Sequence, residues 1–146
     1  MQIEIKIDSS FTEPKIIVMT SSMTEDVQNI IKKLSEASPK IISGSKNEKL
    51  EILDQTDLIH IYANSGKVLA VTDKGEYIIR LRLYELEERL KDSQFVRISN
   101  SEIINLNKVK SFDLSFTGTI CVKLSNDAVT YVSRRYVSKV KKILGV

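Results

Sequence analysis

The sequence predicts a β-rich α+β fold of elongated, packed antiparallel β-sheets with short helices, preceded by a small strand-strand-helix segment. Short apolar runs separated by turn residues recur about every ten residues between positions 41 and 133. Apolar residues at helical spacing are confined to a few short stretches. Hydrophobic residues make up 42% of the 146 residues, which is enough to bury a core without disulfides or metals.

The first forty residues begin with two apolar segments. Ile3, Ile5 and Ile7 alternate with charged residues, and this alternation predicts a half-buried strand. Residues 15–20 follow Pro14 and are mostly aliphatic, so a second strand is predicted there.

A helix is predicted after these strands. Thr24 is a candidate N-cap, and Glu25 and Asp26 follow it in the first turn. Helical spacing then gives one apolar stripe, formed by Val27, Ile30, Ile31 and Leu34. Pro39 is predicted to close the helix. We therefore predict an N-terminal extension over residues 1–40, with a possible dimerisation role, and a second domain over residues 41–146.

The second domain is predicted to be mostly strands. Extended runs are expected at 41–42, 50–53, 58–62, 67–72, 76–81, 95–98, 109–116, 119–124 and 129–133. Thr117-Gly118 is predicted to be a tight hairpin turn. Leu83, Leu86 and Leu90 predict a short helix. A last helix is predicted to turn inward Tyr136 or Val137, Val140, and Ile143 or Leu144.

The inventory of reactive residues argues against an enzyme. His60 is the single histidine and Cys121 the single cysteine, and each lies in a predicted strand, where a structural role is expected. The glycines form no phosphate-binding loop, and no zinc-ligand spacing occurs. No cofactor, metal or small-molecule substrate is therefore expected. The single cysteine, the absence of a signal-like start and the absence of a long apolar run favour a cytoplasmic location.

Charge is distributed unevenly along the chain. Residues 1–60 hold 7 basic and 10 acidic residues, whereas residues 61–146 hold 15 and 9, a balance of +6. This asymmetry hints at an anionic partner for the C-terminal part. A solvated C-terminal helix with lysines near its negative dipole end would explain the same pattern.

Two segments carry polar residues suited to nucleic acid. In Phe95-Val-Arg-Ile-Ser-Asn-Ser-Glu-Ile-Ile-Asn-Leu106, arginine can pair with guanine or phosphate, asparagine with adenine, and serine with phosphate. In Tyr131-Val-Ser-Arg-Arg-Tyr136, two arginines stand where a strand meets a helix, and Ser133 is a candidate helix cap. Ordinary surface arginines and an ordinary cap remain the alternative.

These segments resemble the LytTR family of DNA-binding domains. The first is similar to the family signature F-x-R-x-H-[RN]-S-x-x-V-N, and the second to its closing V-S-R-x-Y. Leu83-Tyr-Glu-Leu-Glu-Glu-Arg-Leu90 stands where the family has an L-x-x-L-E-x-x-L helix. The resemblance runs from about residue 40 to residue 146 and implies packed antiparallel sheets whose loops enter major grooves without a recognition helix.

The resemblance also implies six DNA-contacting positions: Lys67, Arg97, Ser99, Asn100, Arg134 and Arg135. It assigns Lys67 to the loop 64–67, and Arg97 to phosphate contact or structural anchoring. Asn100 would contact a base or a phosphate, Arg135 the groove, and Arg134 the backbone or a packing contact. The family often has histidine where this chain has Ser99, which puts a base contact there in doubt.

Too few residues precede the resemblance for a phosphoacceptor domain, so the chain resembles the receiver-less branch of the family. The resemblance implies a sequence-specific transcriptional regulator of double-stranded DNA, homodimeric on repeated half-sites, with a small membrane protein as a possible partner. The alternative is a β-rich protein-interaction module, or an antagonist of a related regulator, that binds no DNA itself. Convergence of Lys67, Asn100 and Arg135 on one face would favour DNA binding.

Overall fold

The computed structural model describes residues 1–36, 41–90 and 93–146, and the chain divides into two compact units, Met1–Pro39 and Lys40–Val146. The first unit contains the helix α1 (Glu25–Glu36). As predicted, the hydroxyl Oγ1 of Thr24 caps it by accepting from the backbone N–H of Val27 at 3.3 Å. The helix is described as far as Glu36, and the predicted stop at Pro39 lies outside the described residues.

The two strands predicted before α1 are wrong. Residues 1–23 are all described and none of them is in a strand, and Ile3, Ile5 and Ile7 are 82 to 96% exposed. Alternation determines which face of a strand would be apolar, but a strand forms only where a neighbouring strand takes up its backbone hydrogen bonds. Within the described ranges, no other segment pairs with this one.

The second unit is built from strands, and its predicted β-rich class is confirmed. The strands are β1 (Ile42–Lys46), β2 (Lys49–Leu53), β3 (Leu58–Asn64), β4 (Lys67–Thr72), β5 (Gly75–Ile79), β6 (Phe95–Ser99), β7 (Glu102–Asn105), β8 (Val109–Asp113), β9 (Ile120–Leu124) and β10 (Val129–Val132). Seven strands form one sheet in the order β2-β1-β5-β4-β3-β7-β6, and three form a second sheet in the order β10-β9-β8. All neighbouring strands are antiparallel.

Two hydrophobic cores stabilise this unit. The first joins one face of the large sheet to the helix α2 (Leu83–Arg89), whose Leu83 and Leu86 are buried there together with the following Leu90. The second joins the two sheets to the helix α3 (Val137–Leu144), through buried Val140 and partly buried Val137 and Leu144. Of the residues predicted to turn inward on α3, Ile143 is 47% exposed, and Leu144 takes the inner position.

Strand β7 was not predicted, and the hairpin between β8 and β9 differs from its prediction. Ile103 lies in the first core and its neighbour Ile104 in the second. Because both faces of β7 are buried, its sequence shows no alternation. Thr117-Gly118 is not a tight two-residue turn, because residues 114–119 together connect β8 to β9. Leu114 and Phe116 are 45 and 47% exposed, so they do not extend β8 into the core.

Candidate nucleic-acid interface

The hairpin of β3 and β4 presents the first predicted position. Asn64 pairs with Lys67 across a two-residue turn of Ser65 and Gly66, whose φ angles are 53° and 76°. Positive φ at both central residues is the geometry whose twist matches that of a β-hairpin. Asn64 and Lys67 are both exposed, and within the described ranges the Lys67 amine forms no ion pair. The turn therefore places a free cation at a hairpin tip.

The hairpin of β6 and β7 contains the first of the two family motifs, residues 95–106, and its turn differs from the β3–β4 turn. Ser99 pairs with Glu102, so Asn100 and Ser101 form the turn, and neither has a positive φ. Such a two-residue turn does not match the twist of its strands, and the register also shifts between Arg97 and Ser99. Side chains must therefore hold this turn in place.

Arg97 provides most of that support. Its guanidinium donates to the carbonyl oxygens of Ser99 and Asn100, each at 2.7 Å, and to Glu87 Oε2 of α2 at 2.8 Å. The Arg97 side chain is only 13% exposed. Its donors therefore point at the protein, which is the geometry of an anchor for the turn.

Ser99 supports the same turn from the inside. Its hydroxyl accepts from the N–H of Ser101 at 3.2 Å and lies 3.2 Å from the Ser101 hydroxyl. Ser99 is half-buried, whereas Asn100 at the tip is exposed. Of the three predicted contacts in this motif, Arg97, Ser99 and Asn100, only Asn100 is therefore exposed.

The second family motif, residues 131–136, includes a 3-10 turn over Arg134–Tyr136 between β10 and α3. The predicted Ser133 cap is wrong, because its side chain makes no capping hydrogen bond; its backbone N–H instead donates to Ile98 at 2.9 Å. Arg135 is exposed, with its guanidinium 5.8 Å from the centre of the Tyr136 ring. Arg134 is also exposed and packs beside Gly118, where an added Cβ would lie 3.3 Å from Arg134 Nε.

Two hydrogen bonds connect the β6–β7 turn to the β3–β4 hairpin and to the 3-10 turn. The N–H of Ala63, at the end of β3, donates to the carbonyl of Ser101 at 2.8 Å. The hydroxyl of Tyr136 donates to Asn100 Oδ1 at 3.3 Å. The β6–β7 turn thus contacts both the end of β3 and the 3-10 turn. It brings together segments about seventy residues apart in sequence, from Ala63 to Tyr136.

Glu102 is a residue of this region that sequence reasoning missed. One of its carboxylate oxygens lies 2.9 Å from His60 Nδ1 of β3, and the other accepts from the Thr130 hydroxyl of β10 at 2.6 Å. The Glu102 and His60 side chains are each 13% exposed. The carboxylate therefore bridges the two sheets directly behind the β6–β7 turn. The sequence signal was only a carboxylate one position beyond the motif's second serine.

A tyrosine extends this cluster towards the hairpin tip. The Tyr62 ring stacks on His60 with 5.5 Å between ring centres, and its hydroxyl donates to Glu76 at 3.0 Å. Burial raises the pKa of Tyr62, and the hydrogen bond to Glu76 and the charges of Glu76 and Glu102 add to this increase. Tyr62 is therefore a neutral donor at physiological pH.

Among the described residues, no group of three or more histidine, cysteine or acidic side chains could hold a metal ion. No helix in the described ranges has the length and apolar content that crossing a bilayer requires. Cys121 is a free, half-buried thiol of β9.

Comparisons with known proteins identify the family. The family model described as the LytTr DNA-binding domain matches residues 48–145. A protein of Staphylococcus aureus strain NCTC 8325 / PS 47, described as an uncharacterized HTH-type transcriptional regulator, is 31% identical over 147 residues, covering 100% of this chain and 99% of the relative. A relative of the same description from strain MRSA252 is 30% identical with the same coverage.

A solved structure has the same fold. It is the LytTr DNA-binding domain of a protein from Bacillus cereus described as a methyl-accepting/DNA response regulator, with a TM-score of 0.70 and 23% identity. The match covers 75% of this chain and 100% of that domain. The staphylococcal relatives are described as HTH-type, that is, helix-turn-helix. In the described part of this chain, no two α-helices are joined by a short turn.

Proposed function

This chain belongs to the LytTR DNA-binding domain family, and from that premise we propose that it is a transcriptional regulator that binds double-stranded DNA in a sequence-specific manner. The observation that carries the proposal is that the β6–β7 turn is hydrogen-bonded both to the end of β3 and to the 3-10 turn. Lys67, Asn100 and Arg135 are exposed on neighbouring turns, as a surface facing DNA requires. A regulator of this kind works in the cytoplasm, where the chromosome is.

The proposed mode of binding is insertion of turns into major grooves. The major groove is about 12 Å wide and admits a two-stranded ribbon as well as a helix. The β3–β4 tip and the β6–β7 turn are such ribbons. We assign Asn100 to a base edge, Lys67 to phosphate, Arg135 to the groove and Arg134 to the DNA backbone. We assign Arg97 and Ser99 a supporting role, which is to hold the β6–β7 turn in its conformation.

The chain is proposed to act as a homodimer on repeated half-sites. A single domain of this size offers few base contacts, and linking two of them raises affinity through effective concentration without any new contact. This arrangement predicts a target site with two copies of one short sequence.

Binding to duplex DNA is expected to depend steeply on salt. Each phosphate neutralised by Lys67, Arg134 or another cation releases counterions, so log affinity falls by about 0.9 per log salt for each contact. Fluorescence anisotropy with the DNA upstream of the chain's own gene, at salt concentrations from low to physiological, measures the slope. A random duplex of equal length is the control.

Two results would contradict the proposed function as a sequence-specific transcriptional regulator. Absence of binding at low salt, or an affinity that does not change with salt, would favour the protein-interaction module instead. Equal affinity for the upstream and random duplexes would leave DNA binding but remove sequence specificity.

Glu102→Ala is expected to weaken both the fold and DNA binding. The change leaves the half-buried His60 and Thr130 hydroxyl without their shared partner, so the cost should lie near the lower end of the roughly 1–3 kcal/mol of an unsatisfied buried polar group. The β6–β7 turn would then lose one of its links to the second sheet. Urea unfolding measures the free energy of unfolding, and anisotropy well below the transition temperature measures affinity.

Glu76→Ala is the matched control. It removes only the partner of the Tyr62 hydroxyl, at an exposed position, so its effects should be smaller in both measurements. If Glu102→Ala has effects no larger than Glu76→Ala, the bridging role of Glu102 is wrong.

A further inference from the structure

The first unit exposes far more apolar surface than a stable soluble segment usually leaves open. Side chains that are 62% exposed or more there are Met1, Ile3, Ile5, Ile7, Phe11, Ile16, Ile17, Met19 and Met23. Large contiguous apolar patches on soluble proteins mark interaction sites. The unit is also slightly acidic, with 5 basic and 6 acidic residues over positions 1–40, so DNA is a poor partner for it.

The apolar stripe of α1 is symmetric about its own centre. Val27, Ile30, Ile31 and Leu34 are separated by three, one and three positions. In an antiparallel pair centred between residues 30 and 31, Val27 therefore lies opposite Leu34 of the other helix, and Ile30 opposite Ile31. A two-fold axis requires this kind of self-complementary surface.

The charges beside the stripe are arranged in a similar way, about a centre one position nearer the N-terminus of α1. At about 100° per residue, Asp26 and Lys33 lie on one flank of the stripe, near opposite ends of α1. Antiparallel pairing places like flanks together, so Asp26 of one copy lies beside Lys33 of the other, twice across the axis. Glu25 and Lys32 lie on the side of the helix away from the stripe.

We infer that α1 pairs antiparallel with α1 of a second copy of this chain, and that this contact makes the protein a dimer. A 12-residue helix is about 18 Å long, which is too short for the roughly 800 Å² per partner of a stable interface. The exposed segments around residues 3–7 and 16–19 complete the interface. The inference rests on the proposed function in one respect: the dimer links two half-site contacts.

Charge reversal in the full chain tests the pairing. Lys33→Glu alone and Asp26→Lys alone each place like charges together twice, so each should raise the dimer Kd about tenfold or more. Mixed in equal amounts, the two variants should form a heterodimer with a Kd near that of the unchanged chain. Sedimentation equilibrium without DNA measures all three samples.

The matched controls are Lys32→Glu and Glu25→Lys. They make the same charge changes on the same helix, at exposed positions away from the stripe, and should leave the dimer Kd within about twofold. A monomeric full-length chain would overturn the inference and leave the apolar surface to another partner, such as a membrane protein. A dimer equally sensitive to the controls, or one that mixing does not restore, would also overturn it.

Half-site binding distinguishes this failure from failure of the proposed function. A monomer that still binds a duplex with one half-site would overturn the pairing and leave the DNA-binding proposal standing. A charge-sensitive dimer that binds no DNA would support the pairing and contradict the proposed function.

Discussion

Arg97→Ala is expected to lower affinity for the target site about thirtyfold without changing the salt dependence of binding. Hydrogen bonds to charged groups contribute about 1.5–3 kcal/mol each, and Arg97 makes three. Because Glu87 is 42% exposed, solvent reduces the share of that pair, and we expect about 2 kcal/mol in total. The loss comes from a β6–β7 turn that no longer holds Asn100 in position.

The salt slope separates an anchor from a phosphate contact. If Arg97 touches phosphate, removing it should reduce the slope by about 0.9. Arg97→Lys is the matched control, because it keeps the charge but lacks the planar fork that reaches two carbonyls and a carboxylate together. An anchor predicts that lysine rescues little. Full rescue by lysine, or a reduced slope, would show that Arg97 acts on DNA directly.

Asn100→Ala is expected to reduce discrimination between the target site and random DNA by about 1–3 kcal/mol. An asparagine amide can pair with adenine through two hydrogen bonds, and alanine can make neither. Lys67→Ala should instead weaken both duplexes by similar factors, because phosphates are the same in every sequence. Competition anisotropy with the target and random duplexes at one salt concentration measures the ratio of the two affinities for each variant.

Tyr136→Phe supplies the control for Asn100. It removes the hydroxyl that donates to Asn100 Oδ1 while leaving the amide able to meet a base. A modest loss of discrimination in Tyr136→Phe is expected, because the amide is less well positioned. If Asn100→Ala weakens the target and random duplexes equally, its assignment to a base is wrong.

The predictable parts of the fold were those whose signal is local. The β3–β4 hairpin could be predicted because an apolar run, a glycine-containing turn and a second apolar run follow one another within residues 58–72. β7 could not be, because Ile103 and Ile104 face two different cores. The strands predicted at residues 3–7 and 15–20 were wrong for another reason. Their local pattern is that of a strand, but a pattern does not provide a partner strand.

For the proposed site, the sequence identified candidate positions but not which of them support a turn and which face solvent. The motif identified Arg97, yet its partner Glu87 lies on α2, and only the packing of α2 against the sheet brings the two together at 2.8 Å. Glu102 was missed for a similar reason, since His60 and Thr130 come from strands distant in sequence. Contacts between elements determine which polar residue supports a turn and which one faces outward.

The turn between β3 and β4 also limits how this part of the surface could diverge during evolution. Ser65 and Gly66 both have positive φ, which costs most residues about 1–2 kcal/mol and suits glycine, asparagine and aspartate. Diversity at these two positions is therefore restricted by the backbone. Asn64 and Lys67 flank the turn in ordinary strand conformation and tolerate many side chains. We expect relatives of this chain to vary at these two flanking positions while the tip itself stays constant.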